Sequence, residues 1–294
     1  MLGRLRLSTT VPTHVTPTEN IIMSKRNSQA AKSAARERIR AQQEAERKRE
    51  KRKRSLIVGV SVVAVLAIAG GVGYAVMQSN KPGHWEAAKD EKLVKPANST
   101  GTDGTTVVIG KDSAKKTLKV YEDPRCPVCA SFEQTVGPTV EKDLKDGKYK
   151  IQFIGASFLD RNLTGEGSKN ALSALGAALN VSDQAFLDYK KAMFSKENHP
   201  SETEDKFKDD AVLTKIANQV PELKKSKTFA KDVKNGTYDR WALEMSKKFD
   251  DNKDGVDGTP SFVMDGKKLT GSDKKNAPST VEEYKTAIDA ALKG

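Results

Sequence analysis

Cysteine, histidine and aromatic side chains are scarce in this chain. Of its 294 residues, two are cysteines and three are histidines, and Phe, Trp and Tyr together make up 6%. A structural zinc site needs about four Cys or His ligands, usually arranged as two close pairs. Here the two cysteines form a single pair, Cys126 and Cys129, and the histidines lie far apart. We therefore expect no zinc site and no bound cofactor.

A second metal motif is incomplete. Asp250, Asn252 and Asp254 match the first, third and fifth positions of a calcium-binding EF-hand loop, but Ser261 stands at the twelfth position, where glutamate is required. The segment is better interpreted as a polar turn. We expect no metal ligands in the chain.

The positive charge is concentrated in one short segment without aromatic residues. The formal net charge is +12, and residues 25–54 hold thirteen Lys and Arg against four Glu. A nucleic-acid-binding domain spreads its positive charge over a folded face with aromatic residues among it. We therefore expect no nucleic-acid partner and treat residues 1–54 as a basic N-terminal segment. Both Met1 and Met23 are candidates for its start.

Residues 55–77 form a long run without charge, SLIVGVSVVAVLAIAGGVGYAVM. At about 1.5 Å per residue it spans roughly 34 Å, enough for one transmembrane helix. Residues 51–54 are all Lys or Arg, so the positive-inside rule places the N-terminus in the cytoplasm and the rest of the chain outside the plasma membrane. The alternative is a cleaved signal peptide, whose apolar core is about 7–15 residues long and ends at small residues.

A polar linker and one folded domain follow the run. Residues 78–104 are rich in Lys, Gly, Ser, Thr and Asn, which predicts a linker, with Trp85 at the outer membrane interface. The length of residues 105–294 suits one α/β domain. Hydrophobic patterns predict strands at 105–109, 117–121, 149–154, 261–264 and 267–269. They predict helices at 130–145, with a bend at Gly137-Pro138, and at 166–179, 184–196, 205–219, 226–249 and 281–292.

The pair Cys126-Pro127-Val128-Cys129 follows a predicted strand and opens a predicted helix. Free N–H groups and the helix dipole favour negative charge at this position, so a cysteine there loses its proton more easily. Cys129 lies one turn further along, within reach of a mixed disulfide formed at Cys126. The pattern predicts a redox pair, with Cys126 as the exposed nucleophile and Cys129 as the resolving thiol. The alternative is a chance or purely structural pair.

Two motifs resemble the DsbA-like branch of the thioredoxin superfamily. Residues 121–133, YEDPRCPVCASFE, resemble the active-site signature, and residues 258–262, GTPSF, resemble its cis-proline loop. The resemblance implies a thioredoxin-like α/β fold over 105–294 with a helical insertion at about 166–250. It also implies a cis peptide before Pro260, packed beside the cysteines, and pairing of the Thr259 backbone with an extended substrate chain.

Two departures from the family pattern affect the site. Many relatives have histidine between the cysteines, where this chain has Val128, which implies a weaker oxidant unless Arg125 compensates. Many relatives also hold a buried carboxylate six residues before the first cysteine, where this chain has Val120. Glu122 lies on the same strand face as Val120, because side chains alternate along a strand. It is a candidate acid/base group; the alternative is a solvated or ion-paired glutamate.

The sequence therefore predicts an extracytoplasmic protein thiol–disulfide oxidoreductase. The partners we expect are exported proteins with cysteines and an unidentified membrane redox protein. A thiol reductase, for example one acting in cytochrome maturation, would share every feature of the sequence. A binding module without enzyme activity is the remaining alternative, and loss of Cys126 would leave its function intact.

Overall fold

The computed structural model describes the backbone of residues 17–79 and 83–293, and the side chains from residue 31 onward except for much of 57–82. Contacts divide the chain into two units, Met1–Lys81 and Pro82–Gly294. The predicted site residues all belong to the second unit.

The described part of the first unit is a helix, α1 (Pro17–Ser79). Its first half is rich in Ala, Arg, Glu, Lys and Gln, which have high helix propensity. The predicted membrane span at 55–77 falls within α1, although many of its side chains lie outside the described residues. Among the residues that were described, no helix is both long and apolar enough to cross a bilayer.

One mixed sheet forms the centre of the second unit. Its strands are β1 (Val107–Ile109), β2 (Thr117–Glu122), β3 (Lys150–Gly155), β4 (Ser261–Met264) and β5 (Lys267–Leu269), in the order β1-β3-β2-β4-β5. β2 is parallel to β3 and antiparallel to β4, with Tyr121 opposite Ser261. The last residues of β2 therefore lie beside the first residues of β4, which brings the chain segments after β2 and before β4 together.

Helices flank the sheet and fill the segment between β3 and β4. They are α2 (His84–Ala87), α3 (Pro127–Thr135), α4 (Gly137–Asp146), α5 (Phe158–Asn162), α6 (Gly167–Val181), α7 (Asp183–Met193), α8 (Asp210–Ala217), α9 (Pro221–Lys225), α10 (Phe229–Lys234), α11 (Asp239–Asp250) and α12 (Val281–Lys293). Single 3-10 turns lie at Ala88–Asp90 and Lys206–Lys208. The predicted helical insertion corresponds to α6 to α11.

Alternate residues of the central strands pack into different cores. Leu118 and Val120 pack with Phe132 of α3 and Tyr284 of α12. Tyr121 points to the other face, where it packs in a cluster with Phe249 of α11 and the neighbouring residues Ile154 and Val263. The insertion has its own core around the fully buried Trp241. The sheet is therefore covered on both faces, as its largely buried strands require.

The predicted bend at Gly137-Pro138 is a complete break between two helices. Val136 is the C-cap residue of α3, and α4 starts directly with Gly137 and Pro138. Proline is readily accepted in a first helical turn but not in a helix interior, so a new helix begins here. α4 then ends at Gly147, whose φ of 75° is left-handed. The two helices nevertheless share one core through Phe132 and Leu144.

Two of the predicted long helices are wrong. The prediction at 226–249 is interrupted at Gly236, whose φ of 61° separates α10 from α11. The prediction at 205–219 begins too early, because Asp209 caps α8 by accepting a hydrogen bond from the Ala211 N–H at 2.8 Å. Short helices such as α2, α5 and α9 carry too little periodic pattern to be predicted.

Most of the predicted linker at 78–104 belongs to the folded second unit. Trp85 is buried in the core of the insertion, so its predicted place at a membrane interface is wrong. Asn98 donates a hydrogen bond to the carbonyl of Leu179 at 2.7 Å, and the Ala97 N–H donates to Asn180 at 3.0 Å. Residues from α2 onward are therefore attached to the folded unit.

Replacing Gly236 with alanine should reduce the free energy of unfolding by about 2–3 kcal/mol. A Cβ there would combine a left-handed φ with a 2.2 Å approach to Asp239, a buried carboxylate held by His84. Gly255 is the matched control, since its φ is 66° but a Cβ would meet nothing within 4 Å. Gly255→Ala should cost only about 1 kcal/mol. Equal losses in urea unfolding of the two variants would contradict this explanation.

Candidate active site

The two cysteines lie where β2 leads into α3. Cys126 is the N-cap residue of α3, Pro127 is its first residue, and Cys129 lies in the first turn. The N–H groups of a first helical turn have no partner within the helix, and proline at the first position removes one of them at no cost. The local sequence therefore places the sulfur of Cys126 at the positive end of the helix.

The sulfur of Cys126 has two close polar neighbours. It accepts a hydrogen bond from the Cys129 N–H at 3.4 Å and donates one to the Thr259 carbonyl oxygen at 3.4 Å. Thr259 precedes β4, and its peptide bond to Pro260 is cis, as the resemblance implied. The neighbouring ends of β2 and β4 thus bring residues 126 and 259 together.

The two thiols differ in their exposure to solvent. Both cysteines are free thiols; Cys126 is 6% exposed, Cys129 is 0% exposed, and Val128 between them is 58% exposed. Cys126 is less exposed than the sequence predicted, although it remains the more accessible of the two. Val128 presents an apolar side chain at the mouth of the site.

The pKa values of the two thiols shift in opposite directions. The Cys129 thiol and the backbone N–H groups of the first turn, which stabilise the thiolate, lower the pKa of Cys126 to about 7, against the opposing effect of burial. Burial raises the pKa of Cys129, and the nearby Cys126 and Glu122 raise it further. At neutral pH Cys126 is about half thiolate and Cys129 is protonated.

Glu122, the last residue of β2, forms a buried ion pair. It is 1% exposed, and its Oε2 lies 3.0 Å from Nζ of Lys190, which also contacts Glu133 at 2.7 Å. Burial raises the pKa of Glu122 despite the lysine. The charge of Glu122 in turn contributes to the raised pKa of Cys129. Glu122 is therefore ion-paired rather than solvated, as one form of the alternative interpretation stated, and its acid/base role stays a prediction.

An apolar cavity of about 250 Å³ borders this ion pair. It lies between the sheet, α3, α4 and α7, and Glu122, Lys190, Val120 and Phe132 are among its lining residues. Such surroundings disfavour the charged form of a carboxyl group. The shared cavity shows that Glu122 faces the same side of β2 as Val120, as strand alternation predicted.

Arg125 is buried and balanced by carboxylates. Its Nη1 lies 3.0 Å from Asp160 and 3.3 Å from Asp205, and the residue is 1% exposed. These two acids neutralise its charge. The hydrogen bonds described above, rather than Arg125, are the main cause of the lowered pKa of Cys126.

The described side chains include no group of three or more His, Cys, Asp or Glu that could hold a metal ion. In the incomplete EF-hand segment, Asp254 instead receives hydrogen bonds from Lys119 at 2.7 Å and from the Tyr121 hydroxyl. Asn252 accepts from the N–H groups of Asp254 and Val256, which makes this segment a turn.

The fold brings Cys126, Cys129, Thr259, Pro260 and Glu122 to one end of β2. It adds two residues of the insertion that the sequence analysis missed. Lys190 reaches Glu122 from α7, and Nε2 of His199 lies 3.1 Å from the Pro124 carbonyl. Both are more than sixty residues from their partners in the sequence, so no local pattern indicated them.

Comparison with known protein families gives a match over most of the second unit. The model of a family described as thioredoxin matches residues 102–290. Disulfide bond formation protein D of Bacillus subtilis is 27% identical over 189 residues, which cover 64% of this chain and 77% of that protein. A probable disulfide bond formation protein D of Bacillus cereus is 24% identical, covering 79% and 93%.

Solved structures show the same fold at low sequence identity. Oxidised BdbD from Bacillus subtilis aligns with a TM-score of 0.51 and 22% identity, over 68% of this chain and all (100%) of that one. The thiol-disulfide oxidoreductase MdbA from Actinomyces oris aligns with a TM-score of 0.52 and 19% identity, over 69% and 92%. The predicted thioredoxin-like α/β fold with a helical insertion is confirmed.

Alkylation of the reduced protein should separate the two thiols. We expect Cys126 to react with iodoacetamide with a half-maximal rate near pH 7, because only the thiolate reacts, and Cys129 to stay unmodified in the folded protein. Peptide mass spectrometry across a pH series measures both. Cys129→Ala removes the largest contribution to the low pKa and should move the midpoint to higher pH. A wild-type midpoint near the ordinary cysteine value of 9.0 would contradict the geometry.

Proposed function

The chain belongs to the thioredoxin family and is a protein thiol–disulfide oxidoreductase, and on that premise we propose that it forms disulfide bonds in exported proteins. Cys126 exchanges with the substrate, and Cys129 is the resolving thiol. The observation that carries the proposal is the position of the Cys126 sulfur, at the start of α3 and 3.4 Å from the Thr259 carbonyl, with Cys129 fully buried behind it.

The reaction starts from the oxidised enzyme, in which Cys126 and Cys129 share a disulfide. A substrate thiolate attacks the sulfur of Cys126, and the Cys126–Cys129 bond breaks with its electron pair leaving on Cys129. The second substrate thiolate then attacks the substrate sulfur of the mixed disulfide and displaces the Cys126 thiolate. The substrate gains a disulfide and the enzyme becomes a dithiol, so two electrons are transferred.

The raised pKa of Cys129 makes it a poor leaving group unless it receives a proton, because thiols of low pKa leave faster. Glu122 is the group we assign to this transfer. Burial raises the pKa of Glu122, which favours its protonated form, and the charge of Glu122 acts on the pKa of Cys129. In the reverse direction the Glu122 carboxylate takes the proton from Cys129. Lys190 stabilises the carboxylate between these events.

The leaving group of the second step, Cys126, needs no proton donor. Cys126 leaves in the second step, and its pKa of about 7 makes its thiolate stable at neutral pH. This thiolate stabilises the reduced enzyme only modestly, however. When the pH is close to the pKa, ionisation shifts the equilibrium between oxidised and reduced enzyme toward the reduced form by a factor of about two. The pKa alone therefore does not make the protein a strong oxidant.

The oxidising direction is supported by the relatives. Two of them are named for disulfide bond formation. The absence of other cysteines in the chain also suits a protein that oxidises thiols, since a spare thiol would become mispaired. A reductase is the outcome that a measured reduction potential would reveal.

The substrate chain would lie beside Thr259 and Pro260. A groove of about 520 Å³ starts here, lined by Val128, Pro260, Ser272, Asn276 and Glu283 among others. An extended peptide in this groove can pair with the backbone of Thr259 while its cysteine reaches Cys126. The exposed Val128 supplies an apolar contact at the mouth of the groove.

The part of the chain before the folded unit would attach the protein to a membrane. Residues 55–77 would anchor the protein with residues 1–54 in the cytoplasm, and the folded unit from α2 onward would be extracytoplasmic. The basic residues at 51–54 support this orientation. Because each turnover leaves the enzyme reduced, a membrane redox protein is required to accept its two electrons.

Replacing Cys126 with serine should abolish dithiol oxidation by the full chain in detergent, because serine forms no disulfide. Cys129→Ser keeps the attacking thiol: Cys126 should attack a peptide that carries a disulfide, displace one peptide thiolate and accumulate as the mixed disulfide, visible on a non-reducing gel. A glutathione-buffered titration gives the reduction potential, and a value above that of the glutathione pool supports the oxidant. Full turnover by Cys126→Ser would refute the proposal in favour of a binding module.

Glu122→Gln should slow attack on the oxidised enzyme by at least about tenfold, because Cys129 would leave without its proton donor. The loss should shrink as the pH rises and Glu122 of the wild type becomes ionised as well. The matched control is Glu133→Gln, which removes the other carboxylate on Lys190. Stopped-flow rates with dithiothreitol across pH 5–9 measure the effect. Equal losses in the two variants would assign Glu122 a structural role only.

A further inference from the structure

The three residues before Cys126 are each held by the helical insertion. Asp123, Pro124 and Arg125 form the loop between β2 and α3, and the Cys126 N–H donates to the Asp123 carbonyl at 2.9 Å, which closes the loop as a turn. Any movement of this loop therefore moves Cys126. The contacts that fix it come from residues distant in the sequence.

Asp123 is fixed through its carboxylate. It accepts hydrogen bonds from the Ser168 hydroxyl at 2.6 Å, from the Leu159 N–H at 3.1 Å and from the Arg125 N–H at 3.0 Å. The residue is fully buried. Ser168 belongs to the first turn of α6, so this bond joins the loop to the start of the insertion.

Arg125 is fixed through its guanidinium group. Asp205 contacts it from the insertion at 3.3 Å, and Nη2 donates to the Glu202 carbonyl at 3.2 Å. Asp205 also accepts from the N–H of Gly167 at 2.9 Å. The arginine therefore connects the loop to two separate parts of the insertion.

Pro124 is fixed through its carbonyl oxygen. Because a carbonyl only accepts, Nε2 of His199 carries the hydrogen in this 3.1 Å bond. The ring of His199 stacks on Phe194, with centroids 5.7 Å apart and planes at 25°. Phe194 packs in one cluster with Cys126 and Cys129. His199 is thus joined to the site by a hydrogen bond and by ring packing.

We propose that the helical insertion is a positioning element for Cys126, acting through Ser168, His199 and the segment 202–205 on the three residues that precede the cysteine. This inference rests on the proposed function and adds to it the origin of the reactivity of Cys126. His199 is the positioning residue that tests it. Its N–H donates to the Pro124 carbonyl oxygen and so reduces the negative potential of that oxygen next to Cys126. The same bond fixes the loop, which holds the Cys126 sulfur within hydrogen-bond distance of the Cys129 N–H.

His199 is the contact that can be removed most cleanly. Loss of Arg125 would leave Asp160 and Asp205 without their buried counter-ion, and loss of Asp123 would leave buried N–H groups unpaired. His199→Phe keeps a ring on Phe194 but lacks the donor. His199→Gln restores an N–H donor without the ring. His84→Phe is the matched control, because His84 binds Asp239 and makes no contact with the loop.

The experiment measures iodoacetamide alkylation of Cys126 at pH 6 in the full chain, with thermal unfolding to verify the fold. The Phe variant should react about threefold more slowly, equivalent to a rise of about half a unit in the pKa of Cys126. The Gln variant and His84→Phe should react at the wild-type rate. If His199→Phe does not fold, His199→Leu, which also lacks the donor, replaces it.

Two results would overturn the inference. A donor-free variant that reacts like the wild type would show that the Pro124 contact has no effect on Cys126. A Gln variant as slow as the Phe variant would show that an N–H donor at this position does not restore the reactivity, and the hydrogen bond to Pro124 would then not be its cause. Both differ from failure of the proposed function, in which the wild type itself would show no dithiol exchange.

Discussion

The hydrogen bonds at the Cys126 sulfur depend on the meeting of two chain segments that are more than 130 residues apart. The Cys129 N–H comes from the first turn of α3, and the carbonyl comes from Thr259 before β4. They meet because β2 is antiparallel to β4, with Tyr121 opposite Ser261. Every functional property argued for this chain requires that pairing. A slip of one residue in the register would reverse the faces of β4 and remove Thr259 from the sulfur.

Around this meeting point the protein buries an unusual amount of charge. Glu122, Asp123, Arg125 and Asp160 are each at most 5% exposed. Buried charges are costly unless they are paired, and here each has a partner of opposite charge or several hydrogen-bond donors. The network contributes position more than stability: Glu122 is paired with Lys190 at the end of β2, while Arg125 and Asp123 fix the loop in front of Cys126. The same groups that hold the site also set its protonation chemistry.

Sequence patterns predicted the central elements well and the insertion poorly. The strands around Val120 and Phe262 and the break at Pro138 were predictable because alternation and proline act locally. The division at Gly236 was not, since a single glycine in a helical pattern is often tolerated. Trp85 was misplaced because an aromatic residue near a membrane span and one in a protein core have the same local pattern. For the candidate site, Cys126, Cys129, Thr259 and Pro260 came from motifs, and Glu122 came from strand alternation.

The sequence by itself determined the cysteine pair and its place at a helix N-terminus, because the spacing of Cys126 and Cys129 and the presence of Pro127 are local properties. It also determined which face of β2 Glu122 occupies. The tertiary structure alone decided what those groups contact. Lys190, His199 and Asp205 reach the site from the insertion, and their partners depend on how its helices pack on the sheet. The pKa of a buried group depends on such neighbours and on desolvation, both of which arise only when distant segments come together.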